Sequence, residues 1–272
     1  MIKFRKKVRV NEPVFVVDWL AQEIELSKMK IKKAISLGGL WIKIGNKPKK
    51  RVKKIKTELK SGEFIEFFYN PKLDLENFIA PEVIYENNSF GVWFKPAGQP
   101  VASTPYSDQG CFDFFVKKSH PKIHLINRLD FEVSGLVIVA YTKHAAAHFS
   151  EELKKGSIQK LYHAEILGKL TDGGEINHVL DEKECLTKYK VLGHGTDSTW
   201  LEVDLVTGRF HQIRRHLDMI DHPIMGDPKY GYDNADSTGL KLQAIALSFP
   251  CPRSGKTITV EVPPEKRIYT QG

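Results

Sequence analysis

The stretch HLINRLDFEVSGLVIVAY, residues 124–141, decides how the chain is read. Leu136 to Tyr141 make an unbroken apolar run, the pattern of a buried strand. Just before it Arg128, Asp130 and Ser134 fall in a polar turn bounded by Gly135, so an acid and a guanidinium are set down beside a sheet. KHAAAHFSEELKKG (143–156) then has helix-forming composition and a terminal glycine. KLYHAEILG (160–168) alternates, so that Tyr162, Ala164 and Ile166 share one face. If that face is inward, Tyr162 points into the interior or a pocket.

Further on, WLEVDLVTGRFHQIRRHLDMIDHPIMGDPKYG (200–231) opens with Leu201, Val203 and Leu205 alternating against Glu202 and Asp204, a half-buried strand. A TGR turn leads into a helix with Ile213, Leu217 and Ile220 as its core stripe. Arg214 lies beside that stripe with His211 on the same side, so Arg214 can reach a neighbouring site. Taken singly, these residues have ordinary structural readings: Asp130 a turn or cap residue, Tyr162 core, and Arg209, Arg214 and Arg215 surface cations. The turn before the helix is also a familiar place for a phosphate. His211, His216 and His222 show no HExxH arrangement, and no metal is expected.

Towards the start of the chain the charge changes. The net charge of +8 is divided unevenly: residues 1–72 hold 19 Lys/Arg against 7 Asp/Glu, and the remainder is slightly acidic. Such a block suits a polyanion-binding module on a near-neutral body, or else a solvated lysine-rich surface. Val16, Leu20 and Ile24 recur at intervals of four. Ser27 stands as the N-cap of a second helix whose inward face is Ile31 and Ile35, with Lys30 and Lys33 opposite and Gly38 at its end. A strand LWIKI, a turn, a basic loop KPKKRVKKIK (47–56) and a strand FIEFF follow. From about Asn70, NPKLDLENFIAPEVIYEN reads as a connector.

Length and composition, 272 residues with 41% hydrophobic and 27% charged, exclude a lone motif, wholesale disorder or a fibre. No window has the roughly 18 apolar residues of a membrane span, so no membrane partner and a cytoplasmic location are expected. Cys111, Cys185 and Cys251 have no CxxC spacing and read as buried small hydrophobes.

The basic segment resembles the small RNA-binding domain named after ribosomal protein four of the small subunit, over about residues 14–72. Ser27, Lys28, Lys30, Lys33, Gly38 and Lys47 match its pattern of a serine-opened helix with projecting cations, a glycine stop and a basic turn, and the first five residues but Gly38, with Lys47, are the implied RNA contacts. GGLWIKIGNK is one residue longer than the usual form, and its turn reads Gly-Asn.

Over about residues 82–265, within a second domain read as 82–272, the chain resembles a pseudouridine synthase of the RluA type. WFKPAGQPV is similar to KPAG-x-x-V, NRLDFEVSGL to HRLD-x-x-TSGL, KLYHAEILG to K-x-Y-x-A-x-x-x-G, TGRFHQIRRHL to TGR-x-HQIR-x-HL, and HPIMGDPKYG to HPI-x-GD-x-x-YG; LQAIALSFPCP matches the closing strand. The resemblance implies an α+β chain: a small helix-helix-strand domain, then a catalytic domain with a mixed, largely antiparallel sheet. It implies Asp130 as the essential carboxylate, Tyr162 as the aromatic against the target uracil, and Arg214 as the partner of Asp130. Arg128, Asn127, Ser134, Arg209, His211 and Gln212 would line the substrate site. Asn127 and Val133 stand where the pattern has His and Thr.

The implied reaction breaks the bond from uracil to ribose and rejoins the base through carbon five, which calls for an ionised carboxylate and no cofactor. Such a carboxylate can act as nucleophile at the anomeric carbon or as base at the neighbouring ribose carbon. The expected partner is structured RNA, with large-subunit ribosomal RNA favoured over transfer RNA, and a monomer is expected. Two other classes fit the residues less well: a non-catalytic RNA-binding or ribosome-assembly factor, and a glycoside or nucleoside hydrolase lacking an obvious second carboxyl.

Overall fold

Short-range patterns become elements in a computed structural model that describes residues 1–71, 79–234 and 238–270. The expected connector falls partly on 72–78 and there lies outside the described residues. The chain divides into two units, Met1–Phe78 with Ala102–Phe115, and Ile79–Val101 with Val116–Gly272.

In the first unit the order is β1 (Ile2–Lys7), β2 (Val14–Phe15), α1 (Val16–Glu23), α2 (Lys28–Leu37), β3 (Leu40–Lys43), β4 (Lys50–Val52), β5 (Glu58–Leu59) and β6 (Phe64–Tyr69). Ser27 caps α2 by accepting a hydrogen bond from the Lys30 amide, and Gly38, at φ +96°, ends it in the left-handed conformation. Ile31 and Ile35 are fully buried against Val16, Leu20, Leu40, Ile65 and Phe67. Ile24 leaves the helical stripe as the extended C-cap of α1.

Four strands differ from the sequence reading, among them β2 and β5, which pair Val14↔Leu59 and Phe15↔Glu58. β1 pairs with β6 from Ile2↔Tyr69 to Lys7↔Phe64, and the expected basic loop contains β4, antiparallel to β3. The sheet runs β1-β6-β3-β4, so pairing satisfies backbone groups that a loop would leave to water. Residues 102–115 also join this unit: Ser107 Oγ and the Asp108 amide donate to the Leu37 carbonyl at the end of α2, and Trp41 Nε1 donates to the Pro105 carbonyl.

α3 (Phe112–Ser119) crosses the division between the units. The second unit also holds β7 (Glu82–Glu86), β8 (Phe90–Lys95), β9 (His124–Leu125), β10 (Ser134–Ala140), α4 (Lys143–Lys155), β11 (Gln159–Leu167), β12 (Gly174–Leu180), β13 (Lys183–His194), β14 (Ser198–Leu205), α5 (Gln212–Met219), β15 (Leu242–Pro250) and β16 (Thr257–Glu261). They form one sheet ordered β12-β13-β14-β11-β15-β10-β8-β7, with β16 on β15 and β9 on β10. Among the described residues its pairs are antiparallel except β10 with β15. The fold is thus α+β with a mixed, largely antiparallel sheet. Phe90, Leu136, Ile138, Phe149, Leu247 and Phe249 build a core between β10, β15 and α4, with Phe90, Phe149 and Phe249 meeting edge to face.

The parallel pair places the site. Gly135 lies opposite Ala244, and Ala244 opposite Tyr162, so the end of the Asp130 turn and Tyr162 share one row across three strands. A Cβ on Gly135 would stand 2.2 Å from the Ala244 carbonyl oxygen, and its φ is +125°, so only glycine permits this approach. A bulge between Leu161 and Tyr162 shifts the register of β11 against β15 at the same point and re-aims the side chain.

Cys111 and Cys185 are buried; Cys251 is half-exposed, a correction to the expectation of three buried thiols, because it sits past the last core residue of β15. No helix among the described residues is long and apolar enough to cross a membrane.

Candidate active site

Arg214 organises this region. It points inward from α5 with 1% of its side chain exposed, and it is gripped by Asp227, itself fully buried: Nε donates to Oδ2 and Nη2 to Oδ1, both at 2.7 Å. Asp227 Oδ1 also accepts from the amides of Lys229 and Tyr230. A two-pronged contact of this kind fixes the guanidinium plane and leaves one nitrogen free to serve a neighbour. That nitrogen, Nη1, donates to Asp130 Oδ2 at 3.3 Å and lies 3.5 Å from Glu132 Oε2. Burial works against the charge on Arg214, but Asp227, Asp130 and Glu132 outweigh it and hold its pKa above the ordinary value.

His211 joins the group. It adopts the left-handed conformation, at φ +53°, ahead of α5, and its Nε2 lies 3.3 Å from Arg214 Nη1 and 3.6 Å from Asp130 Oδ2. A guanidinium has no lone pair to offer, so Nε2 accepts, and the ring proton sits on Nδ1, 3.2 Å from Tyr230 Oη. Burial lowers its pKa, which favours the neutral ring, with Asp130 pulling the other way.

Tyr162 is 6% exposed. Burial, then the Asp130 charge, pushes its hydroxyl well above the usual phenol range, so it stands as a neutral phenol close enough to feel Asp130. Asp130 keeps 27% of its side chain exposed, leaving room for an approaching molecule.

The remaining expected site residues separate into two groups. Arg128 and Arg209 are exposed. Asn127, Ser134 and Gln212 are engaged in the framework. The Asn127 amide donates to the Leu136 carbonyl and accepts from the Ile138 amide, clamping the Asp130 loop to β10. Ser134 Oγ accepts from Gln243 Nε2. Gln212 accepts from Thr207 Oγ1 and the Arg209 amide and donates to the Leu186 carbonyl and Thr187 Oγ1, bracing the TGR turn.

Lys95, Glu132, Asp227 and Tyr230 were not singled out from the sequence. Lys95 is fully buried, and its Nζ donates to the carbonyls of Pro96 and Gln99 at 2.8 Å and lies 3.5 Å from that of Phe131, next to Asp130. Burial pushes its pKa down to about 7, with Asp130 and Glu132 pulling the other way. An unfolded lysine keeps its proton to about 10.5, so between pH 7 and 10.5 the unfolded chain binds more protons and rising pH favours folding. Urea titrations should show stability rising across that window by up to about 1.4 kcal/mol per pH unit, a slope that Lys95→Met removes. Parallel curves for the two proteins would show that Lys95 is not buried in this way. The only signal in the sequence was the KPAG match, which says nothing of burial.

Among the described residues no three His, Cys, Asp or Glu side chains converge on a possible metal position. In the first unit the Ser27 hydroxyl is spent on its cap and Lys28 pairs with Asp18 at 2.6 Å, while Lys30, Lys33 and Lys47 are exposed. Lys47 lines a groove of about 670 Å³ with Lys7, Lys43, Lys49, Trp41 and Phe64.

Fold and site together define an α+β protein with a buried, acid-gripped arginine presented to a half-exposed carboxylate. Residues 89–219 match the RNA pseudouridylate synthase family. Ribosomal large subunit pseudouridine synthase D of Neisseria meningitidis is 30% identical over 85% of this chain and 72% of its own length. An uncharacterised RNA pseudouridine synthase of Mycoplasma genitalium is 28% identical over 93% of this chain and 89% of its own. The solved structure of human RNA Pseudouridylate Synthase Domain Containing 1 shares the fold, with a TM-score of 0.60 at 23% identity over 70% of this chain and 84% of that one. The chain belongs to the RNA pseudouridylate synthase family and is an isomerase of that class.

Proposed function

We propose that the chain converts uridines of large-subunit ribosomal RNA to pseudouridine, with Asp130 as the reacting carboxylate and without a cofactor. The observation that carries this reading is the Asp227–Arg214–Asp130 chain, which aims a fixed guanidinium at a carboxylate that is still partly open to solvent. Asp130 serves the ribose, either as nucleophile at the anomeric carbon or as base at its neighbour. The bond from N1 to the ribose breaks, the base turns within the site, a bond forms from ribose to carbon five, and the proton on carbon five passes to solvent while N1 gains one. Tyr162, a neutral phenol, supplies a flat face for the uracil and a hydroxyl beside it. Arg214 orients Asp130 through the hydrogen bond from Nη1.

A stacked uridine is out of reach of a carboxylate set among strands, so the nucleotide must be flipped out at a cost of a few kcal/mol. Exposed Arg128 and Arg209 offer phosphate contacts that offset this. The large-subunit ribosomal synthases among the relatives support the substrate class. The first unit is read as the module that holds structured RNA, supported by its helix-helix-strand order and by exposed Lys30 and Lys47. A double Lys30→Ala, Lys47→Ala variant should lower the slope of log affinity against log salt by about 1.4–1.8, two phosphate contacts' worth. An unchanged slope would mark these lysines as solvated surface.

Mapping pseudouridines in RNA from cells with and without the gene tests the substrate. Sites lost from large-subunit ribosomal RNA support the reading. Losses confined to transfer RNA would transfer the activity to that substrate, and no loss in any RNA would favour a binding or assembly factor.

A further inference from the structure

Next to Asp130 lies an aromatic ledge that the isomerisation itself does not use. Phe210 is 59% exposed, and its ring is stacked on His211 with centroids 3.8 Å and planes 21° apart. His211 is held in turn by Arg214 and Tyr230, so the backing of Phe210 is rigid. The ammonium of exposed Lys229 lies over the Phe210 ring, 5.4 Å from its centroid, and over the Tyr230 ring at 5.2 Å, so an incoming base takes its place on Phe210 as the lysine swings to the phosphate. A single exposed phenylalanine is unremarkable on a protein surface. One backed by a second ring that itself lies 3.6 Å from the reactive carboxylate, with a cation beside it, has the composition of a nucleotide-stacking surface.

Its surroundings favour a polyanion over an apolar partner. Arg209 precedes it in the chain and is exposed, as is Lys229.

We propose that Phe210 and Lys229 form a platform for the nucleotide adjoining the flipped uridine, the base stacking on Phe210 and its phosphate meeting Lys229. The inference rests on reading Asp130 as the reacting carboxylate. Flipping one nucleotide leaves its neighbour with a bare face, and an aromatic ring restores the stacking that was lost. Because a purine offers more area to stack than a pyrimidine, the platform favours target uridines with a purine neighbour.

The test uses the full chain with Phe210→Ala, Phe210→Leu and Phe210→Trp. The probe is a large-subunit ribosomal RNA transcript tritiated at carbon five of uridine; the readouts are kcat and KM for tritium release and RNA retention on a filter. Phe210→Ala should raise KM and weaken retention by about 5- to 150-fold with kcat unchanged. Phe210→Trp should behave as wild type, and Phe210→Leu as the alanine variant. Thermal midpoints should coincide, since the ring is exposed. The proposal is overturned if alanine changes nothing, if leucine rescues as fully as tryptophan, or if kcat falls at constant KM, which would mean that Phe210 acts through His211. Absence of tritium release by the wild type would sink the reading of Asp130 instead; the retention series still decides the platform, and equal retention by all variants overturns it.

Discussion

Asp227→Ala is expected to destabilise the protein by about 3–5 kcal/mol, the largest stability loss available to one side chain in the site. Arg214 is 1% exposed and donates two 2.7 Å hydrogen bonds to its partner carboxylate, so removing Asp227 strands a guanidinium away from water. Asp130 and Glu132, at 3.3 and 3.5 Å from Nη1, are too few and too exposed to replace that contact. The variant also loses the acceptor for the Lys229 and Tyr230 amides, which loosens the turn carrying the aromatic ledge. Urea denaturation checks the figure. The double variant Arg214→Met, Asp227→Leu should recover much of the lost stability while remaining inactive, because an apolar pair of similar volume avoids the cost of burying charge. A single variant within about 1 kcal/mol of wild type would show that the pair is solvated.

Local chemistry made much of the fold legible. Ser27 and Gly38 bracket α2, Gly156 closes α4, and the alternation of Tyr162, Ala164 and Ile166 puts all three in the interior of β11. These signals act over a few residues, the range that periodicity and capping report. β4 was hidden because its lysines and arginine mask a strand whose only warrant is its pairing with β3. The joining of residues 102–115 to the first unit was hidden for the same reason, since Ser107 meets Leu37 across 70 positions of sequence.

The site divides in a similar way. Asp130 and Arg214 were picked out by resemblance to ordered motifs; spacing alone left them a turn residue and a surface cation. Nothing local distinguishes an arginine beside a core stripe from one buried at its centre, and what decides the matter is Asp227, 13 residues on, supplied by a turn that folds back under α5. Asn127, Ser134 and Gln212 belong to motifs that the resemblance places at the substrate site, and in the structure they also hydrogen-bond backbone and neighbouring side chains. A sequence displays a polar group without showing which partner it has already found.

Asp130→Asn should abolish isomerisation while leaving the fold intact. The side chain is 27% exposed and, among the described residues, its close hydrogen bond is from Arg214, which remains anchored to Asp227, so the change in stability should stay within about 1 kcal/mol. An amide can neither attack the anomeric carbon nor take a ribose proton, and the loss of rate should be on the order of a thousandfold or more. RNA retention should be unaffected, because the phosphate contacts proposed for Lys30, Lys47 and Arg209 are untouched. The decisive measurement is single-turnover tritium release from carbon-five-labelled large-subunit ribosomal RNA at saturating protein. The wild type should release tritium and Asp130→Asn should bind the same RNA and release none; equal release by both proteins would contradict the assignment of the reacting group.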